Sequence, residues 1–176
     1  MAIIRIPSER IGVLIGQGGK VKKMLEEESR SKLIVDSESG EVQLVDVEDP
    51  VLGMRATDVI KAIGRGFNPE IAFTLFNDEM LFLEVITLTD VVNGPKALER
   101  IRGRIIGKKG MMRRALERAT GAKVSIYGKT VAIIGKVEAI QVVKNAINML
   151  ISGASHGTVY SYLEKERKRL DLAKIE

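Results

Sequence analysis

Leu14-Ile15-Gly16-Gln17-Gly18-Gly19 and Ile105-Ile106-Gly107-Lys108-Lys109-Gly110 are two copies of one pattern, apolar-apolar-Gly-x-x-Gly. They begin 91 positions apart (14 to 105) in a chain of 176 residues. Sliding the chain by that offset makes more of it coincide. Gly12 falls on Gly103, Lys22-Lys23 on Arg113-Arg114, Leu25-Glu26 on Leu116-Glu117 and Lys32 on Lys123. Beyond that the register slips by a few residues, as loops of unequal length would cause. Self-similarity at a long period marks a duplicated unit.

The hydrophobic pattern around each copy has one order. In the first half, Ile3-Ile4-Arg5-Ile6 reads as a strand and Pro7-Ser8 as a helix start. A short apolar helix runs to about Ile15, and after the loop a second spans about Lys20 to Arg30. Leu33-Ile34-Val35 and Val42-Gln43-Leu44-Val45 read as a hairpin across Ser37-Glu38-Ser39-Gly40. A helix from about Val51 to Ile63 stops near Gly64. The second half repeats this: a strand near Leu81 to Leu88, a helix from Pro95 to Ile106 broken near Gly103, and a helix from Met111 to Thr120. Strands at Lys123–Tyr127 and Val131–Ile134 and a helix from Val137 to Ile151 complete it. The order β-α-α-β-β-α is that of the type I KH domain; the permuted type II would begin with a helix. The expected fold is α+β: KH domain 1 at 1–66, a packed linker at 67–80, KH domain 2 at 81–153 and a C-terminal helix at 154–176, with the two domains packed together. The linker carries Ile71, Phe73, Leu75 and Phe76 and is not a flexible Gly/Ser tether.

A Gly-x-x-Gly loop between two helices is how KH domains clamp the backbone of single-stranded RNA. Without a Cβ, glycine lets phosphates approach the backbone. The helix that starts after the last glycine offers free N–H groups and a positive dipole end. Lys108 and Lys109 add charge directly, whereas Gln17 and Gly18 do not, so the second loop is expected to dominate affinity and the first to assist. From Arg100 to Arg118 there are eight basic residues opposed only by Glu117. The candidate RNA contacts are therefore Arg104, Ile105, Ile106, Gly107, Lys108, Lys109, Gly110, Arg113 and Arg114. In the first unit they are Gly16, Gln17, Gly18, Gly19, Lys20, Lys22 and Lys23, near Arg10. A solvated basic helix face is the alternative reading of the charge. Ile105, Ile106, Val124 and Ile126 are expected to form an apolar platform for bases, with Leu14, Ile15 and Leu33 as counterparts. The stretch Asp36 to Asp49 holds six acidic residues and no basic one, and would repel RNA if it faced the groove.

Composition excludes several classes. Net charge is +5 and binding to a polyanion would weaken with salt. No apolar run reaches the length of a membrane span, and no signal peptide is visible, so a cytoplasmic protein is expected. Cysteine is absent, and the single His156, read as a helix-start or surface residue, argues against a His-based metal site or catalytic triad. No P-loop occurs; Gly64-Arg65-Gly66-Phe67 follows a helix and reads as a helix stop. Glu9 and Glu26 to Glu28 lack cation-ligand spacing. No catalytic residue, metal or cofactor is expected, and no enzymatic activity. Aromatic residues are only 4%, which disfavours sheets that stack bases on aromatic rings but suits an aliphatic groove.

Further stretches carry a resemblance. Arg65-Gly66-Phe67-Asn68-Pro69-Glu70, then Leu98-Glu99-Arg100-Ile101-Arg102-Gly103-Arg104 leading into the second loop, Glu117-Arg118-Ala119-Thr120-Gly121, Tyr127-Gly128-Lys129-Thr130-Val131-Ala132-Ile133-Ile134-Gly135 and Gly153-Ala154-Ser155-His156-Gly157-Thr158-Val159-Tyr160 together resemble the partner-of-Nob (Dim-two) family in its compact archaeal form. These are tandem-KH small-subunit ribosome assembly factors. The resemblance implies binding near the 3′ end of small-subunit ribosomal RNA during maturation, with a Nob-type endonuclease and the alpha subunit of translation initiation factor two as partners. By carry-over, Gly107 to Gly110 form the main RNA loop and Gly16 to Gly19 a second. The first loop departs from many KH loops in lacking a basic residue between its glycines. The tail, with Val159, Tyr162, Leu163 and Leu170 at helical spacing, either packs on the second unit or docks a partner. A KH adaptor of another RNA-processing machine, or a scaffold whose KH folds no longer bind RNA, are the alternatives; the expected state is a monomer.

Overall fold

The computed structural model describes residues 2–175; Met1 and Glu176, the outermost residues of the expected first and last segments, lie outside the described residues. The chain divides into two compact units between Glu79 and Met80. Each is built on a three-stranded antiparallel sheet whose last strand in sequence lies in the middle, and both are mixed α/β KH folds.

In the first unit β1 (Ala2–Arg5), β3 (Glu41–Val45) and β2 (Lys32–Asp36) lie side by side in that order. Ile4 pairs with Val42 and Val42 with Val35, while Leu33 pairs with Leu44. Ile4, Leu33, Val42 and Leu44 are buried, and the intervening Ile3 and Ile34 are exposed, as the two-residue period of a strand dictates. Helices α1 (Ser8–Ile15), α2 (Lys20–Ser29) and α3 (Pro50–Gly64) cover the buried face with Leu14, Leu25, Ile60 and Ile63. Truncating one such side chain to alanine costs about 2–5 kcal/mol. Asp49 caps α3, accepting from the amides of Val51 and Leu52 at 3.0 and 3.4 Å, and Pro50 stands where a missing N–H costs nothing.

The stretch after α3 is helical. Short helices α4 (Pro69–Ala72) and α5 (Thr74–Asn77) both abut α3. Asn68 Oδ1 accepts from the Ile71 amide at 2.9 Å, and Leu75 is fully buried.

The second unit repeats the plan with β4 (Phe82–Thr87), β6 (Thr130–Gly135) and β5 (Lys123–Tyr127), again with the last strand central. Helices α6 (Pro95–Ile106), α7 (Met111–Thr120) and α8 (Val137–Ile151) enclose a core that includes Ile101, Leu116, Ile133, Val143 and Ile147. The expected break at Gly103 is absent. Helix α6 runs through it, and the Gly107 amide donates to the Gly103 carbonyl at 2.8 Å. Buried Ile101 and Ile105 on either side anchor the helix more strongly than the roughly 1 kcal/mol by which a glycine weakens it. Helix α9 (His156–Ala173) packs on α7 and α8, with Val159 and Leu163 in the core.

Candidate nucleic-acid interface

Both Gly-x-x-Gly segments fold alike. Gly16 and Gly107 end α1 and α6 at φ/ψ of 75/173° and 75/171°. Gly19 and Gly110, both left-handed, open α2 and α7. At Gly107 no other residue fits. A Cβ there would stand 2.7 Å from the Met112 amide nitrogen, and at Gly16 it would stand 2.9 Å from that of Val21. The first glycine of each loop lets one helix end against the start of the next.

Between the glycines the two loops part. Gly18 sits at φ 62°, ψ 22°. The equivalent residue in the second loop is Lys109, at φ 55°, ψ 28°. A side chain in that region is strained, and a bulky one rarely occupies it. Lys108 and Lys109 are exposed, and neither has an ion-pair partner among the described residues. Behind them the Met111 amide donates to the Lys108 carbonyl, and α7 opens with no side-chain cap and no acidic residue in its first turn, an electrostatic setting that favours an anion. Helix α2 is likewise uncapped, with Lys20, Lys22 and Lys23 on it, but the first loop itself presents only Gln17 and Gly18.

Among the flanking candidates, Arg113 and Arg114 lie in the first turns of α7. Arg113 Nη1 donates to Glu117 Oε1 at 3.2 Å, so its charge is paired with a carboxylate, whereas Arg114 is exposed and has no ion-pair partner among the described residues. Arg104 is placed differently from the sequence expectation. Its Nε donates to the Leu150 carbonyl at 3.2 Å and its Nη2 to that of Ala154. It ties α6 to the end of α8, which takes up two of its donor groups and fixes where its charge sits. Arg10 does the same in the first unit, reaching the carbonyls of Ile63 and Phe67 at 2.8 Å each.

The expected apolar platform is also thinner than expected. Ile105, Leu14, Leu33 and Val124 are buried in their cores, because their positions point inward from helix and strand. Ile106, Ile126 and Ile15 are half-buried, with Ile126 packed against the core of the second unit.

Two carboxylates named in the sequence turn out to tie each loop's following helix to the outer strand, a role the sequence reading did not give them. Glu117 Oε2 accepts from the amide of Val124 on the outer strand β5 at 2.9 Å, and Glu26 Oε2 accepts from Leu33 on β2 at 2.9 Å. Their signal was present: both pairs stand 91 positions apart. No group of acidic or histidine residues able to hold a metal occurs among the described residues, and no helix among them is long and apolar enough to cross a membrane.

Comparison with known proteins follows the same division. A family model described as a eukaryotic-type KH domain (type I) matches residues 82–168, and one described as a KH domain matches residues 1–52. A KH domain-containing protein of Methanocaldococcus jannaschii is 46% identical over 99% of this chain and 77% of its own length. The pre-rRNA-processing protein PNO1 of Chaetomium thermophilum is 35% identical over 66% of this chain, which spans 46% of that longer protein. A crystal structure of an a/eIF2alpha–aDim2p–rRNA complex from Pyrococcus horikoshii matches with 48% identity and a TM-score of 0.88, over 96% of this chain and 94% of the other.

Proposed function

The chain belongs to the PNO1/Dim2 family of KH-domain proteins, and from that membership we propose that it is a non-catalytic RNA-binding factor of small-subunit ribosome assembly. It clamps single-stranded ribosomal RNA near the 3′ end, with Gly107, Lys108, Lys109 and Gly110 as the main clamp. The first loop, Gly16 to Gly19 with Lys20, Lys22 and Lys23, assists. The observation that carries this reading is Lys109: a lysine held in the left-handed region, exposed, before an uncapped helix start. Backbone strain of that kind costs on the order of 1 kcal/mol and clusters at functional sites. A glycine would serve the turn better, and the first loop has one there. What lysine adds is charge at the place a phosphate would occupy.

The names of the relatives support the choice of RNA and of process. One is a pre-rRNA-processing protein, and the aDim2p relative was crystallised with rRNA and a/eIF2alpha. We assign this chain ribosomal RNA and the alpha subunit of initiation factor two as partners, and add a Nob-type endonuclease on the sequence resemblance alone, all meeting in the cytoplasm.

Fluorescence anisotropy at two salt concentrations tests the reading, with a short RNA from the 3′ end of small-subunit ribosomal RNA and a scrambled control. Selective, salt-sensitive binding lost mainly in Lys108→Asp/Lys109→Asp, and much less in Gln17→Asp/Gly18→Asp, is the expected result. Absence of binding by the unsubstituted protein would make the KH folds scaffolds for protein partners instead.

A further inference from the structure

The arginines of helix α7 serve two different faces. Arg113 and Glu117 share one side of the helix. Met111, Arg114, Ala115 and Arg118 share the side roughly opposite, as a period of 3.6 residues requires. That second side is covered in part by α9, and between the two helices runs an open groove of about 650 Å³, within the roughly 300–1,000 Å³ typical of ligand clefts. Its polar and aromatic lining comes from Arg114, Arg118, Tyr160, Glu164 and Arg167. Glu164 is already matched: Arg167 donates to its two carboxylate oxygens at 2.6 and 3.1 Å. Arg114 and Arg118 are exposed and have no ion-pair partner among the described residues. The groove is therefore net basic, with a tyrosine in its wall.

The groove is continuous with the clamp. Met111 directly follows Gly110, and Arg114 Nη1 lies 3.3 Å from where a Cβ on Gly110 would stand. A polynucleotide leaving the loop meets Arg114 first and Arg118 one turn later.

The first unit supplies an internal comparison. Lys20, Met24 and Glu28 stand 91 positions before Met111, Ala115 and Ala119, and they line a groove of about 520 Å³ against Glu70, Phe73 and Phe76. No arginine lines it. Its two phenylalanine rings pack edge to face on each other, centroids 5.7 Å apart. The same place in the duplicated fold is basic with one tyrosine in the second unit, and in the first is largely apolar with two acids and one lysine.

We propose that the α7–α9 groove is a second RNA subsite of the second unit, which takes a nucleotide flanking the clamped segment, with its phosphate on Arg114 and Arg118 and its base against Tyr160. Stacking on a tyrosine beside arginines is a sequence-tolerant way to hold a single strand, so this subsite lengthens the footprint without reading sequence. The proposal rests on the RNA-clamp reading above, and its test separates the two.

The test measures affinity for an RNA of about four nucleotides, the length a KH groove clamps, and for RNAs of about ten nucleotides extended at either end. The proteins are the unsubstituted chain, Arg118→Glu and Tyr160→Leu, each checked for an unchanged melting profile. The expected result is a roughly ten-fold loss for one extended RNA in Arg118→Glu, a smaller loss in Tyr160→Leu, and no change for the short RNA. The salt slope for that extended RNA should fall by about one. Equal affinity of Arg118→Glu and the unsubstituted chain for every RNA would overturn the proposal and leave the groove to an acidic protein segment. An equal loss for short and extended RNAs would also overturn it, since Arg118 would then act on the clamp itself. If the unsubstituted chain bound no RNA, the clamp reading would fall and this one with it.

Discussion

Glu117 Oε2 accepts a hydrogen bond from the backbone N–H of Val124 at 2.9 Å, which ties helix α7 to the outer strand of the second sheet. The same carboxylate holds Arg113 through its other oxygen at 3.2 Å. One residue thus closes the strand edge and spends part of a neighbouring positive charge. Glu117→Ala leaves the buried Val124 amide without its acceptor and is expected to cost about 2 kcal/mol in urea unfolding. Glu117→Gln keeps an acceptor and should cost about half as much. It also releases Arg113, so its RNA affinity at low salt should rise about two-fold, the scale of one exposed ion pair. A drop in affinity would show that Arg113 needs Glu117 to hold its position.

Lys109 lies at φ 55°, where the first unit has Gly18 at φ 62°. Lys109→Gly removes the strain and should stabilise the protein by about 1 kcal/mol. The same change should weaken RNA binding, with a salt slope shallower by about one. Denaturant titration and anisotropy on a single preparation read both effects. A variant that binds RNA as well as before would detach the strain from function.

Arg30 ends α2 in the left-handed region at φ 51°. Its counterpart 91 positions on is Gly121, at φ 77°. Glycine is the usual residue at such a helix end. Arg30→Gly should therefore stabilise the protein by about 1 kcal/mol, and Gly121→Ala should destabilise it by a similar amount. The two urea midpoints should move in opposite directions.

Asp58, on α3, has its carboxyl held above the usual carboxylate range by burial, partly offset by the charges of Lys61 and Arg55. The folded protein therefore binds that proton more tightly than the unfolded chain does. The group's contribution to stability is present at acid pH below its unfolded value of 3.8 and is lost as pH rises through the raised folded value. Asp58→Asn should be more stable than the unsubstituted protein at neutral pH. The difference should vanish toward pH 3, read from melting temperatures across that range. A variant less stable at neutral pH would mean that the pairing with Lys61 and Arg55 outweighs the burial.

Much of the architecture was legible because its signals are local. A strand that buries one face alternates, and a helix on a sheet repeats every three to four residues, so the order of elements could be read in both halves. The loops were legible because a close approach of two helices at Gly16 and Gly107 admits nothing larger than glycine. Other elements resisted. Gly103 looked like a break, yet buried Ile101 and Ile105 carry the helix across it. The segment after Phe67 reads only as an apolar linker that packs on a domain, and it folds into α4 and α5, with Asn68 capping the first and Leu75 fully buried. The apolar platform was overestimated because the inward or outward direction of Ile105 and Val124 depends on how helix and strand face each other.

What the sequence by itself determined is the duplication, the KH order of elements, and the contrast between a charged second loop and a neutral first one. Each depends on residues close together in the chain. Only the tertiary structure decided which charges are free. Arg104 and Arg10 are as basic as Lys108, but their guanidiniums are held by carbonyls 46 to 57 positions away. Arg113 is matched by Glu117, and Arg118 is turned toward α9 with no ion-pair partner among the described residues. A count of basic residues weighs all of these alike; a hydrogen bond to a distant backbone oxygen does not, because it fixes where the charge points.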